Sequence, residues 1–337
     1  MSPLEALNSN PFVLAPMAGI TDHSFRTFMK QLDASVVITE LVSAAGIDHL
    51  SRRTLELMSF DESQRPIGIQ LFGEDPEAMA RAAQHAQEKG ADFVDLNFGC
   101  PVPKVVKKGA GSAILRDPAA VQVMLSTIKK AIDIPLTIKI RTGWDANSRN
   151  AIEICRIAAG EGITWVAIHG RTRAQGYDGK ADWNYITEVK AASQVPIIGN
   201  GDILSPRQAC ELMKTTGVDG VMIGRGALKN PYIFRDALRL WQGHPALSEN
   251  RDFAVLFNQL AACLQERCND HILQIQLRKF AAWFATGYAG AAAFRKAVFQ
   301  SQSVSQTMDL SLRFFETISL NQQEDTSQEA FLMGGHG

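Results

Sequence analysis

The chain lacks paired cysteines. Its five, at 100, 155, 210, 263 and 268, form no C-x-x-C and are odd in number. That argues against a secreted disulfide scaffold and for reduced thiols in a cytosolic protein. No basic stretch followed by an apolar run opens the sequence. No apolar run reaches the roughly 18 residues of a membrane span, so a soluble, cytoplasmic protein is expected. Excess charge is also missing: 34 Lys and Arg against 35 Asp and Glu leave a net charge of −1. A wholesale polycation is excluded, and any nucleic-acid binding must come from local patches. The first apolar run is not followed by G-x-G-x-x-G, which removes the usual dinucleotide fingerprint.

What is present is a rhythm. Short apolar runs recur at 12–19, 35–41, 66–73, 93–99, 135–143, 165–172, 196–202 and 220–226, several rich in Val and Ile and each ending in a glycine or polar turn. They read as strands, too short for ordinary helices. Between them, 76–91, 117–132 and 205–217 have helical spacing, with Asp75, Asp117 and Ser205 as N-caps and Gly90 and Gly217 as C-caps. The link from Val42 to Arg65 has no clear pattern. Eight strands, mostly alternating with helices over roughly 230 residues, predict an α/β fold, an eightfold β/α (TIM) barrel, over an open doubly wound sheet. Residues 1–243 are assigned to that barrel and 244–320 to an all-helical domain broken at Gly287 and Gly290. The polar 321–337 is expected to be a disordered tail.

In a β/α barrel, reacting groups gather where strands end. The third run offers Gln70, the fourth Asn97 and Cys100, the fifth Lys139 and Arg141. The sixth offers His169 and Arg171, the seventh Asn200, Gly201 and Asp202, the eighth Gly224 and Arg225. Strand alternation puts Lys139 and Arg141 on one face. Two inward cations need an anion or a ligand, with a structural salt bridge as the alternative. Glycines and Arg225 after the last two strands suit a phosphate. These parts fit flavin mononucleotide, with Gln70 at the pyrimidine edge and Lys139 where charge gathers in the reduced ring. The turn Pro16, Met17, Ala18 could pack on the ring, or be an ordinary strand-to-loop turn. Cys100 has no second cysteine or histidine at ligand spacing, so no metal is expected. A free thiol, with pKa about 8.5, is mostly protonated at neutral pH and can donate a proton. A packed core cysteine is the alternative.

Downstream of Cys100, Lys104, Lys107, Lys108 and Arg116 occur with no acid before Asp117, as a loop over the pocket or a merely solvated one. The stretch 271–308 contains no Asp or Glu but has Arg278, Lys279, Arg295 and Lys296, interleaved with Trp283, Phe284 and Tyr288. Its charges could follow a phosphate backbone, while its aromatics read more readily as helix core.

Taken together, "LAPMAGITDHSFR", "NFGCPVPKVVKKGAGSAIL", "IKIRTGWD", "HGRTRAQGY", "NGDI" and "MIGRGAL" resemble the tRNA-dihydrouridine synthases, most of all their bacterial B type. The resemblance implies FMN at the barrel mouth, NADPH as reductant (NAD(P)+ as acceptor in the reverse sense) and uridine in tRNA as substrate. It implies hydride transfer from flavin N5 to C6 and protonation of C5 by Cys100. FMN would contact Pro16, Met17, Ala18, Gln70, Lys139, His169, Asn200, Gly201, Asp202, Gly224 and Arg225. Asn97 would orient the uracil, with Lys104, Arg141 and Arg171 also toward substrate. The family carries a polar stretch after "RK", where this chain has Phe280. No obligate protein partner is evident, so a monomer is expected. Two other readings are a flavin barrel reducing a small molecule of the dihydroorotate or enone type, and a tRNA-binding chaperone without catalysis.

Overall fold

In the computed structural model, residues 2–49, 51–246 and 252–318 are described; the expected tail at 321–337 lies outside them. Nine strands, β1 (Phe12–Leu14), β2 (Val37–Ile38), β3 (Val42–Ser43), β4 (Ile67–Phe72), β5 (Phe93–Phe98), β6 (Leu136–Arg141), β7 (Val166–His169), β8 (Ile197–Asn200) and β9 (Gly220–Ile223), form one sheet. Its order is β1-β9-β8-β7-β6-β5-β4-β2, with β3 also on β4. Every ladder is parallel. The ends meet: Ser35 N–H donates to Phe12 O and Leu14 N–H to Val36 O, both at 3.0 Å. Eight strands therefore close into the expected barrel, and β3 adds a short extension. The unpatterned link becomes β3, helices Ala44–Asp48 and Arg52–Leu57, and a 3-10 turn at Glu62–Gln64.

The helices between strands start where short polar side chains can cap them. Asp75 accepts from Ala78 N–H at 2.7 Å, Asp117 from Ala120 at 3.1 Å and Ser205 from Gln208 at 3.1 Å. Each is followed by proline, whose missing N–H costs nothing in a first turn. Such a cap contributes about 1 kcal/mol.

The barrel floor is closed by a helix that the sequence reading passed over, Pro3–Ser9, held by a reciprocal Ser2–Glu5 capping box. It buries Leu7 against Val13, Ile38, Phe93, Trp165, Ile198 and Met222. Leu7 Cδ1 lies 2.6 Å from where a Cβ on Gly220 would sit, so that position admits only glycine without rearrangement.

Four helices follow the barrel, Phe253–Gln265, Asp270–Phe284, Ala291–Gln300 and Val304–Thr317. They share its core rather than hanging from it. Phe280 stacks on Phe25 of the barrel helix His23–Gln31 at 5.1 Å and 14°, and Phe284 packs against Phe28 at 6.4 Å. Phe280 is thus a fully buried ring joining the two parts. The basic stretch is also partly spent inside the molecule. Arg278 donates to Ser301 O and Oγ, and Lys279 Nζ donates to Gly19 O at 2.8 Å. Trp283 and Phe284 are core. Lys296 is exposed and Arg295 half-buried. No described helix is long and apolar enough to cross a membrane.

Candidate active site

Strand alternation turns every second residue inward, and the inward set becomes polar toward the C-terminal end. Register places Gln70 beside Asp95 and Asp95 beside Thr137. Above them, Asn97 neighbours Lys139, Arg141 neighbours His169, and His169 neighbours Asn200. Seven sequence-predicted residues on five strands or their immediate ends, Gln70, Asn97, Cys100, Lys139, Arg141, His169 and Asn200, therefore meet at one mouth.

Asp95 was not among them, although it lies in the same strand as Asn97. It is completely buried and accepts from Gln70 Nε2 at 2.6 Å and Thr137 Oγ1 at 2.6 Å. Burial pushes its carboxyl up to about 6, against the pull of those two donors and of Lys139. Gln70 Oε1 in turn accepts from Asn97 Nδ2 at 2.9 Å. Asn97 Oδ1 accepts from Cys100 N–H at 2.8 Å and Gly99 N–H at 3.3 Å. Both ends of the Asn97 amide are thus engaged in holding the Cys100 turn. A hydrogen-bonded line runs from the barrel interior to the cysteine backbone.

The other side of Cys100 is held by Ser112, whose N–H and Oγ both donate to Cys100 O, at 3.1 and 2.8 Å. This needs Gly111, at φ +61°, where a Cβ would lie 2.9 Å from Cys100 O. Cys100 is half-buried. Burial raises its thiol pKa above the ordinary value, outweighing the Val102 N–H and the charges of Arg141 and Lys139. It is a thiol, not a thiolate, at neutral pH.

The cations divide by partner. Lys139 keeps some surface at the mouth but is enclosed by protein, and burial, then Arg141, lower its ammonium to about 8, with Asp95 opposing. It has no hydrogen bond or ion pair among the described residues. Arg141, expected to meet substrate, is 3 % exposed and donates to Gly99 O, Thr172 O and Gly176 O at 2.8, 2.8 and 2.7 Å. Its Nη2 alone is left. Arg171, also expected to meet substrate, is engaged in the same way. It is 2 % exposed, pairs bidentately with Asp202 at 2.9 and 2.8 Å, and donates to Asp178 O and Gly179 O. The carbonyls around Arg141 are distant in sequence, so spacing did not reveal them.

Asp202 also accepts from Ala181 N–H at 2.7 Å and Arg225 Nη2 at 3.2 Å, which makes it the anchor of two arginines. Asn200 Nδ2 donates to Met222 O at 2.7 Å. His169 is held neutral, its pKa well below the usual range through burial first and then Lys139, Arg141, Arg171 and Arg225. Its Nδ1 is buried without a hydrogen-bond partner. A Cβ on Gly201 would lie 3.6 Å from its Cε1. Tyr177, unnoticed in the sequence, presents its ring to Arg141 at 5.7 Å, to Arg225 at 4.9 Å and edge-on to His169 at 6.4 Å.

The turn with Pro16, Met17 and Ala18 joins this mouth: Met17 Sδ lies 3.4 Å from where a Gly224 Cβ would sit. Met17 N–H donates to Thr21 Oγ1 at 2.9 Å, and Gly19 N–H donates to Glu40. Lys104, Lys107 and Lys108 are exposed on and after helix Pro103–Val106, without ion-pair partners among the described residues.

Asp95 yields a stability prediction. Its carboxyl titrates near 6 when folded and near 3.8 when free. The native state therefore binds the extra proton between those values, and stability falls as pH rises from about 4 to about 6. At about 1.4 kcal/mol per pKa unit the loss is about 3 kcal/mol. Asp95→Asn is expected to remove most of this slope in urea unfolding at pH 4.5 and pH 7. An identical slope in the variant would place the titration elsewhere.

Comparisons with known proteins give the family. The sequence profile of the dihydrouridine synthase (Dus) family matches residues 13–322. The chain is 39% identical over 308 residues to "Probable tRNA-dihydrouridine synthase 1" of Synechocystis, covering 88% of this chain and 84% of that protein. It is 39% identical over 310 residues to "tRNA-dihydrouridine synthase B" of Pseudomonas putida, covering 91% of each. Among solved structures, 6-hydroxypseudooxynicotine amine oxidase from Pseudomonas geniculata aligns with a TM-score of 0.53 at 14% identity, over 74% of this chain and 50% of that one, a likeness of fold alone. The chain belongs to the dihydrouridine synthase family and is an oxidoreductase.

Proposed function

We propose that this protein reduces the C5–C6 double bond of uridine in tRNA to 5,6-dihydrouridine, using FMN at the barrel mouth and NADPH as reductant. The observation that carries this reading is Cys100, a thiol kept protonated by burial and fixed from both backbone sides, beside Lys139. The residues present fit a flavin. Lys139 has no partner of its own, His169 Nδ1 is orphaned, and Met17, Gly201 and Gly224 crowd one rim. Pro16, Met17, Ala18, Gln70, Lys139, His169, Asn200, Gly201, Gly224 and Arg225 would hold the group, with Asp202 orienting Arg225. Bound there, FMN supplies the hydride that adds to C6.

The chain supplies the rest. Adding hydride to C6 puts negative charge on the C5–C4–O4 enolate, which the charge of Lys139 stabilises. Cys100 Sγ–H gives its proton to C5, and the thiolate is reprotonated from solvent, so that two hydrogens are added in all. Asn97 acts through the Cys100 turn. Arg141 and Arg171 act as braces of the surrounding loops. A uracil must leave its stack to enter such a mouth. On this reading residues 1–243 are catalytic, while 244–320 help hold a tRNA in the cytoplasm through Arg295, Lys296 and neighbouring surface.

Lys104, Lys107 and Lys108 are the phosphate contacts nearest Cys100. Replacing all three by Ala is expected to weaken tRNA binding and lower the slope of log affinity against log salt by about 2–3, near one per lost contact. Flavin reduction should be unaffected. An unchanged slope would return these lysines to solvent.

The reading is tested by incubating FMN-loaded protein with NADPH and unmodified tRNA, then measuring dihydrouridine by nucleoside mass spectrometry. Dihydrouridine formation supports it. Untouched tRNA, with flavin reoxidised by a small enone, would make the protein a small-molecule oxidoreductase. A protein that binds tRNA but no flavin would be a chaperone.

A further inference from the structure

Outside the reaction mouth lies a second cavity, about 420 Å³, lined by Leu115, Arg116, Trp144, Asp145, Ser148, Arg149 and Asn150. It separates two segments that the mouth depends on. One is the 3-10 turn Gly111–Arg116, whose Ser112 holds Cys100. The other is the loop leaving β6, three residues beyond Arg141. Arg173 N–H and Ala174 N–H bind Gly143 O and Trp144 O at 2.9 Å each, zipping that loop to the one carrying Tyr177.

The chemistry of the cavity is unspent. Arg116, in the lining, and Arg173, next to the cavity, lie over the Trp144 ring at 4.9 and 4.6 Å, and neither has an acidic partner among the described residues. Arg149 does have one: it pairs with Asp182 at 2.8 Å and lies over Tyr185 at 3.7 Å. Yet Arg149 Nε, Arg173 Nε and Asn150 Oδ1 are buried without hydrogen-bond partners. Asp145 is turned onto its own loop, accepting from Asn147 N–H and Ser148 Oγ. Two guanidiniums on one indole, neither with an acid of its own, make a place for an anion. Two arginines held on an aromatic ring beside a pocket of ligand size suit a nucleotide phosphate.

We propose that this cavity seats the adenosine half of the reductant, with Arg116 and, at the cavity's edge, Arg173 binding the 2′-phosphate while the Trp144 ring holds the two guanidiniums in place. The inference rests on the NADPH reading above and deepens it. A tRNA strand could present similar chemistry, but a polymer is followed by an open row such as Lys104, Lys107 and Lys108. A discrete pocket between two loops suits a terminal phosphomonoester, whose charge near −2 outweighs that of a phosphodiester. The place is apt, since nicotinamide must reach the mouth while its remote half lies outside.

The test uses the FMN-loaded protein. Adenosine 2′,5′-bisphosphate is titrated by calorimetry into wild type and into R116Q/R173Q, with Trp144→Phe as the variant that keeps an aromatic ring beneath the arginines. The double variant is expected to bind the probe at least tenfold more weakly and Trp144→Phe to stay within threefold. The NADPH-over-NADH ratio of kcat/KM should fall at least tenfold in the double variant. Reoxidation of photoreduced enzyme by tRNA should not change. Wild-type affinity for the probe in R116Q/R173Q overturns the proposal. So does weakened tRNA reoxidation with an unchanged NADPH-over-NADH ratio, which would give the cavity to RNA. A protein that takes up no flavin sinks the proposed function instead, and calorimetry on it still reads the cavity.

Discussion

Cys100→Ala is expected to slow uracil reduction by 10²–10⁴, the usual worth of a positioned proton donor, and to leave flavin reduction by NADPH within twofold. The two half-reactions separate because the thiol is needed only when C5 takes its proton. The substitution should not disturb the site. The turn is held through the backbone, by Asn97 Oδ1 on Cys100 N–H and by Ser112 on Cys100 O. Alanine keeps both. A packed-core cysteine predicts the opposite pattern, lower stability with little change in rate. Cys100→Ser should recover little, since a hydroxyl at this burial is a far poorer acid than a thiol. Stopped-flow measurement of photoreduced enzyme mixed with tRNA reads the affected step directly. An unchanged reoxidation rate would remove Cys100 from the chemistry.

Lys139→Met carries the second large effect. The ammonium is enclosed, unpaired and charged at neutral pH. Removing a preorganised charge aimed at developing negative charge costs about 10²–10³ in rate. The pH dependence follows with a definite sign. Lys139 is protonated below about 8 and loses its charge as pH rises through that value. Wild-type uracil reduction should therefore fall on the alkaline side with an apparent pKa no lower than about 8. Cys100 cannot be the source of an earlier limb, because burial moves its thiol upward. In Lys139→Met the limb near 8 should vanish from a uniformly low profile, leaving only the higher one of the Cys100 thiol. A limb near 8 that persists in the variant would assign it to another group.

Much of the architecture was legible because it is local. Short apolar runs marked all eight barrel strands, and Asp75, Asp117 and Ser205 marked helix starts through their own side chains. Strand ends gave the mouth residues for the same reason, since a period of two puts Lys139 and Arg141 on one face regardless of what lies opposite. What stayed hidden was mostly non-local. Around Arg141 and Arg171, read as substrate cations, stand the carbonyls of 99, 172, 176, 178 and 179. Arg278 and Lys279 read as phosphate contacts until Ser301 and Gly19 claimed them. Asp95 was missed although one turn of the same pattern exposes it. It is inward by parity with Asn97, and a buried carboxylate beside a buried glutamine is a polar layer, not a solvent face. The floor helix was also readable: Ser2, Pro3 and Glu5 are an N-cap, a proline at the first helical position and a capping-box acid. The Arg116–Trp144–Arg173 cluster was not, because three loops supply it.

The central claim is that Cys100 protonates uridine in tRNA. The most direct test is nucleoside mass spectrometry of bulk tRNA from cells lacking this gene, rescued with wild type or with Cys100→Ala. The account predicts that dihydrouridine is lost on deletion, restored by wild type and poorly restored by the variant. Full restoration by Cys100→Ala would contradict the role of the thiol. Unchanged dihydrouridine on deletion, in a host without a redundant enzyme, would contradict the substrate.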